Sequence, residues 1–213
     1  MKEFWDKRYG QGAFIYGEAP NAFVKEKLPL FSPGKILFPA EGEGRNSVYA
    51  AQLGWEVSAF DFSIQGKEKA DKLAASKADK LAASKGVKID YQVQSFLHEH
   101  YAPTTFDAIC LTYVHMPPEI KVKMHQRLDS YLKVGGHIIL EAFSKEHREL
   151  SKKNPALGGP PDVRMMYSLE EIERDFKNYE ILELTKAKVH LDEGSGHVGL
   201  SSVIRFIGRK ISD

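Results

Sequence analysis

The amino-acid sequence predicts an α/β fold, a Rossmann-like, seven-stranded, mostly parallel sheet with helices on both faces, and three features carry that expectation. Short apolar runs alternate with helix-length segments along most of the chain, which is the pattern of repeated βαβ units. The first apolar run ends in a turn with two glycines, Glu41-Gly42-Glu43-Gly44, that opens directly into a helix. An acid, Asp61, closes the next run, about twenty residues on, where a nucleotide-binding fold places the partner of a ribose.

Each element has a local reason. Lys35 to Phe38 is a buried strand entered from Ser32-Pro33-Gly34, and Asn46 to Leu53 is a helix stopped by Gly54. Trp55 to Phe60 is the second strand. Ser63 to Ser84 is rich in Lys, Ala, Leu and Glu and reads as a helix closed by Gly86, with Val87 to Val93 the third strand. Asp107 to Leu111 is a fourth strand, Pro118 to Leu132 a helix with proline in its first turn, and His137 to Leu140 a fifth strand. Residues 144 to 166 lack periodicity and are expected to form a long surface loop. Ser168 and Glu171 make a capping box for a short helix, and Glu180 to Thr185 and Leu200 to Ile207 are two closing strands.

Composition bounds the rest. A chain of 213 residues fits one domain, residues 1–213, with a core that needs no disulfide or structural metal. The formal net charge of +1 supplies no global field for nucleic acid or an anionic membrane, so neither is expected as a partner. Cys110 is the only cysteine, which fits a reducing compartment. The opening residues lack the apolar core of a signal peptide, and no apolar run approaches the ~20 residues that span a bilayer. A cytoplasmic location is the expectation.

One internal repeat stands out: Lys69 to Ser76 recurs unchanged as Lys77 to Ser84. A tandem copy this short reads as a duplication within one helix, at residues 69–84. Eight added helical residues lengthen it by ~12 Å and rotate the residues beyond it by ~80°. A protruding second copy with exposed leucine invites self-association, so monomer and dimer both stay open.

The chemistry is concentrated at the first turn. Gly42 and Gly44 let the backbone approach a ligand, and the helix starting at Arg45 and Asn46 offers N–H groups to an anion. The same residues would also make a β-to-α turn that holds nothing. Asp61 can accept both hydroxyls of a ribose, or it can cap the following helix in competition with Ser63. His98 and His100 flank Glu99, but with no cysteine partner they read as a solvated strand end, and no metal is expected.

Taken together, Ile36 to Ser63 resembles the cofactor segment of class I S-adenosylmethionine-dependent methyltransferases, nearest to the tellurite-resistance and thiopurine methyltransferase group. Phe4 to Tyr9 and Tyr16 to Asn21 are similar to that group's N-terminal cap, here residues 1–23, and Leu132 to Gly136 is similar to its turn before strand five. The resemblance implies S-adenosylmethionine as cofactor, held at the carboxyl ends of strands one, two and four by Ala40, Glu41, Gly42, Gly44, Arg45, Asn46, Asp61, Phe62, Ser95, Phe96 and Thr112. The sequence departs from the group at Phe38, where an acid is usual, at Ala40, where glycine is, and at Ser95, where an acid often faces the adenine; Glu41 is the residue that would replace the lost acid.

By the same resemblance Leu111 to Pro117 lies at the methyl-transfer mouth, with His115 as catalytic base, and Tyr16, Arg164, Tyr167 and His197 as substrate residues. His115 could equally be a loop histidine bonded to backbone, and Trp5, Phe14, Tyr16 and Phe23 could be core instead of cap. The implied activity is methyl transfer to a small-molecule acceptor, a thiol, metalloid or amine. Two alternatives stay in view: a non-catalytic, regulatory S-adenosylmethionine-binding protein, and an NAD-dependent oxidoreductase. The latter needs a third glycine where the chain has Ser47.

Overall fold

The computed structural model describes residues 2–78 and 88–213. The second copy of the repeat from Asp79 onward, the expected stop at Gly86 and the expected strand start at Val87 lie outside the described residues. The chain forms two compact units, residues 1–100 and 101–213.

In the first unit, α1 (Lys2–Tyr9) and α2 (Ala22–Lys27) precede β1 (Lys35–Pro39), α3 (Arg45–Gln52), β2 (Glu56–Asp61), α4 (Ile64–Ala78) and β3 (Ile89–Val93). β1 pairs in parallel with β2, and β2 with β3. The apolar side chains of Ile36, Leu37, Phe38, Val57, Ala59 and Phe60 are buried, as continuous runs in a two-faced parallel sheet require. Neither N-terminal helix is visible in the sequence as periodicity, because α1 is largely charged and α2 has six residues. α2 is set instead by Asn21, whose side chain accepts the N–H groups of Phe23 and Val24 at 3.0 and 3.1 Å.

The second unit runs β4 (Phe106–Thr112), α5 (Pro118–Tyr131), β5 (Leu132–Phe143), α6 (His147–Lys153), α7 (Leu169–Asp175), β6 (Tyr179–Glu193) and β7 (His197–Lys210). β4 and β5 are parallel, while β7 is antiparallel to both β5 and β6. The seven strands have the order β3-β2-β1-β4-β5-β7-β6. The sheet is therefore mixed, parallel through β5 with antiparallel strands at the β6 end.

Two expectations need correction. Residues 144–166 are not an irregular loop: they contain α6 and two short 3-10 turns, Pro155–Leu157 and Val163–Met165. Side chains rather than periodicity fix those turns, Asn154 accepting Ala156 N–H at 3.2 Å and Asp162 accepting Arg164 N–H at 2.9 Å. The closing hairpin is also longer than expected, with only residues 194–196 between its strands. The reason is position: β6 ends the strand order, so much of its length is solvent-exposed and carries Lys186, Lys188, His190 and Asp192, which conceal it in the sequence. The capping box of α7 is present as expected, with both Ser168 and Glu171 bonds made.

Candidate active site

In the first unit, β1 leads into Ala40, which adopts φ +50, and the chain turns through Gly42 at φ +64 and Gly44 at φ +87 into α3. A Cβ on Gly42 would collide with the Tyr9 hydroxyl, and one on Gly44 would collide with Ala70 Cβ of α4. Both glycines are thus required by close approach of the protein's own residues.

Glu41 is bonded to the helix that follows. Its Oε1 accepts the N–H groups of Asn46 and Ser47 at 3.0 and 2.7 Å, so the carboxylate occupies the α3 N-terminus that was expected to receive a ligand's anion. Burial pushes its pKa up to about 7, against the lowering effect of those bonds. Arg45 and Asn46 face the N-terminal segment: Arg45 Nη1 donates to Tyr16 O at 3.1 Å, and Asn46 Oδ1 accepts Asn21 N–H at 2.9 Å. The Tyr16 ring has the Arg8 and Arg45 guanidinium groups at 5.6 and 6.0 Å, a setting for an arginine-stacked aromatic.

Glu43 carries no signal in the sequence, yet it anchors this segment. Its buried carboxylate accepts Ile15 N–H at 2.9 Å and pairs with Lys69 Nζ at 2.7 Å, while Lys69 also donates to Ala13 O at 2.5 Å. Lys69 is the first residue of the repeat.

Asp61 stands at the end of β2, as expected, and is buried. Its Oδ2 accepts Gly42 N–H at 3.2 Å and its Oδ1 accepts Ser63 N–H at 2.8 Å. Burial raises its pKa to about 6 even so, which means that the bonds it makes only partly offset desolvation. Phe62 N–H is a third backbone donor to it, and a carboxylate with about four lone-pair sites keeps capacity for a ligand hydroxyl. Phe62 follows it half-buried. Ser95 serves a local turn through Leu97 N–H at 3.3 Å and His98 Nδ1 at 2.9 Å, and Phe96 packs edge-on against Phe60, with centroids 4.9 Å apart.

In the second unit, Thr112 ends β4, and the next residue, Tyr113, is held at φ +55. That conformation costs roughly 1 kcal/mol or more for a residue with a side chain, and its surroundings enforce it. Tyr113 N–H donates to Glu141 O at 2.8 Å, and its hydroxyl donates to Glu141 Oε1 at 2.9 Å. The buried Glu141 takes its second partner from Arg205 Nε at 2.7 Å. Tyr113 lies in the segment that the resemblance placed at the site, whereas nothing in the sequence singles out Glu141 or Arg205.

The structure places His115 as a histidine bonded to backbone through both ring nitrogens, the alternative that the sequence also allowed. Its Nε2 accepts Phe143 N–H at 3.3 Å and its Nδ1 donates to Met165 O at 3.2 Å, so the ring is fixed in its neutral form. Burial drives its pKa down to about 3. Tyr167 is likewise core: it is fully buried, donates to Val114 O at 3.1 Å, meets His125 Nε2 at 3.2 Å and lies under the Lys121 ammonium. Its hydroxyl is pushed to higher pKa by burial. Arg164 is exposed and forked onto Asp162 at 3.1 and 2.7 Å. It lines a surface groove of about 360 Å³ with Lys121, Lys145, Glu171 and Arg174.

His197 is different. It opens β7, is buried, and has Nδ1 at 2.9 Å from Glu193 Oε2 across the hairpin turn. Its ring packs edge-on to Tyr113 and to Phe143, with centroids at 4.6 and 5.0 Å. His147 stacks on Phe143 at 3.8 Å, accepts Ser202 N–H and donates to Gly158 O, and burial lowers its pKa to about 4. Among the described residues, no group of three or more His, Cys, Asp or Glu side chains could hold a metal ion. No helix among them is long and apolar enough to cross a membrane.

The family model described as tellurite resistance protein TehB matches residues 1–185. No curated protein matches the chain. Similar solved structures include an S-adenosylmethionine-dependent methyltransferase from Methanosarcina mazei, with TM-score 0.70 and 16% identity over 92% of this chain and 100% of that one. TehB from Haemophilus influenzae is similar at TM-score 0.65 and 18% identity, over 98% of this chain and 66% of that one. A protein described under the conversion of a disulfide bond into a thioacetal group during echinomycin biosynthesis is similar at TM-score 0.69 and 18% identity, over 100% and 94%. At such identities the structural likeness speaks for the fold.

Proposed function

Since the chain belongs to the TehB tellurite-resistance family of class I S-adenosylmethionine-dependent methyltransferases, we propose that it transfers a methyl group from S-adenosylmethionine to a small-molecule acceptor: a thiol, a metalloid or an amine. The observation that carries the reading is Asp61, a buried carboxylate at the end of β2 with acceptor capacity suited to a ribose diol. When bound, the cofactor supplies an electrophilic methyl group on a sulfonium. The chain's part is to bind it at Asp61, to orient it and to exclude water, because in-line displacement depends mainly on positioning. The altered first motif supports the same reading: Glu41 and Glu43 fasten the turn and the N-terminal segment, and Asp61 is the acid assigned to the ribose in this reading.

The acceptor is small in this reading because a net charge of +1 offers nothing to hold a nucleic acid. The same composition and the single Cys110 favour a cytoplasmic setting, without membrane or nucleic-acid partners. Calorimetry with S-adenosylmethionine, S-adenosylhomocysteine and NAD tests the cofactor. Binding of the first two and not of NAD is expected, and the reverse overturns the proposal. Transfer of labelled methyl to a panel of thiols, metalloid oxyanions and amines then tests the activity, and cofactor binding without any transfer would return the regulatory alternative.

A further inference from the structure

The groove of about 360 Å³ in the second unit is lined from α5, from the Val163–Met165 turn, from α7 and by Lys145. Pro118 and Val122 of α5 and Val163 of the turn give it a carbon wall, and both valines are exposed. The remaining lining side chains are four cations, Lys121, Lys145, Arg164 and Arg174, and one acid, Glu171. Glu171 is already engaged at both oxygens: Oε2 accepts Ser168 N–H at 3.1 Å in the α7 capping box, and Oε1 accepts from Lys145 Nζ at 2.9 Å.

Lys121 is the unusual member. Its side chain is only 5% exposed, yet among the described residues no carboxylate lies within hydrogen-bond reach of its ammonium: Glu171 Oε2 is 3.9 Å away. Nζ donates instead to Arg164 O at 3.0 Å and Met166 O at 2.9 Å, with the Tyr167 ring centroid at 4.5 Å. An ammonium has three N–H donors, and the two carbonyls use two of them. Burial lowers the Lys121 pKa, with Glu171 opposing the shift, so the charge is held at a cost. A buried ammonium without a hydrogen-bonded counter-ion is expensive, and the groove that it lines is where a counter-ion can be supplied.

Both arginines of the lining keep donors as well. Arg164 uses Nε and Nη2 on Asp162, and Arg174 places Nε and Nη2 at 3.0 and 2.9 Å from Asp175 Oδ1, while Asp175 Oδ2 serves His125. Among the described residues, each guanidinium thus leaves Nη1 and its two N–H groups without a protein acceptor.

We propose that this groove is a binding site for a small organic carboxylate, whose carboxyl group takes the unused N–H groups of Lys121, Arg164 and Arg174 and whose short apolar body lies on Val122 and Val163. A carboxylate matches the planar guanidinium fork. A single negative charge is favoured over a phosphate dianion because Glu171 stands in the same lining and repels a second one. The volume lies near the lower end of small-molecule pockets, which limits the body to a few carbons. The site belongs wholly to the second unit, and the inference does not rest on the methyl-transfer reading above.

The test is an amide proton–nitrogen NMR titration of the full chain at neutral pH with three probes: isovalerate, its neutral amide isovaleramide, and inorganic phosphate. It needs neither cofactor nor turnover, so its outcome is independent of whether the chain methylates anything. Isovalerate should move the amides of residues 118–122, 145, 163–164 and 171–174 along one saturable curve, with a Kd on the order of 1 mM for a ligand of this size. Isovaleramide and phosphate should bind at least about tenfold more weakly. Arg164→Gln and Arg174→Gln, both at exposed positions that leave the fold intact, should each weaken isovalerate by about three- to fivefold, and added salt should do the same to the wild type. Lys121→Met should abolish binding, and if that variant does not fold, the two arginine variants still decide. Four results would overturn the proposal: no saturation below about 50 mM isovalerate, equal binding of the amide, tighter binding of phosphate, or wild-type affinity in both arginine variants.

Discussion

At Asp61 the chain buries a carboxylate, and burial raises its pKa although backbone N–H groups of Ser63, Gly42 and Phe62 lower it. Asp61→Ala should weaken S-adenosylhomocysteine binding by about 1–3 kcal/mol, the cost of leaving buried hydroxyls without a partner. Unchanged affinity by calorimetry in a folded variant would remove Asp61 from the site. His115 makes the opposite prediction. Since both ring nitrogens serve the backbone of Phe143 and Met165, His115→Ala should destabilise the protein by about 1–3 kcal/mol while leaving the shape of the pH–rate profile intact. A lost limb in that profile would restore it as the base. The two-glycine turn and Asp61 are legible in the sequence because their neighbours are local. The role of Glu43 is not, since what it does depends on Lys69, 26 positions away. Nothing in the sequence distinguishes His115, bonded to backbone, from His197, bonded to a carboxylate.

Elements with a strong period are readable and weakly patterned ones are not. β1, β2, β4 and α5 follow their apolar runs to within a residue or two, whereas α1, α6 and most of β6 are short or polar and depend on tertiary contacts. α4 carries the sharpest test at this scale. Its first copy of the repeat is already seated: Lys69 holds Glu43 and Ala13 O, Ala70 packs on Gly44, and Leu73 is buried. Among the described residues Lys77, which begins the second copy, meets Glu18 at 3.9 Å in a partly exposed pair, an interaction worth little. Deleting residues 77–84 should therefore leave S-adenosylhomocysteine affinity unchanged and the melting temperature the same or higher. A large fall in melting temperature would make the second copy an integral part of the fold. Breaking the seated copy should do the reverse: Lys69→Met strands the buried Glu43 carboxylate, and a loss of about 3–5 kcal/mol in denaturant unfolding is expected.

For the whole molecule, buried titratable groups set how stability responds to pH. Glu41 and Asp61 have folded pKa values raised to about 7 and about 6, so the native state binds more protons than the unfolded chain below those values, and their contribution to stability is lost as pH rises through them. His115 and His147, lowered to about 3 and about 4, act in the other sense: the unfolded chain binds more protons, and their contribution is lost as pH falls through the ordinary histidine range. The two effects oppose each other where the windows overlap, so these four groups leave a flat stability profile in mildly acidic solution. Glu41→Gln separates them, because glutamine keeps an oxygen to accept the Asn46 and Ser47 N–H groups but removes the titration. Its melting temperature relative to wild type should rise steadily with pH up to about 7, by about 2–4 °C for each kcal/mol involved, and should level off above that. Differential scanning calorimetry of both proteins across this range reads the difference directly. A difference that stays constant with pH would mean that Glu41 is ionised throughout, held by the α3 N-terminus strongly enough to cancel its burial, and the raised carboxyl would be wrong.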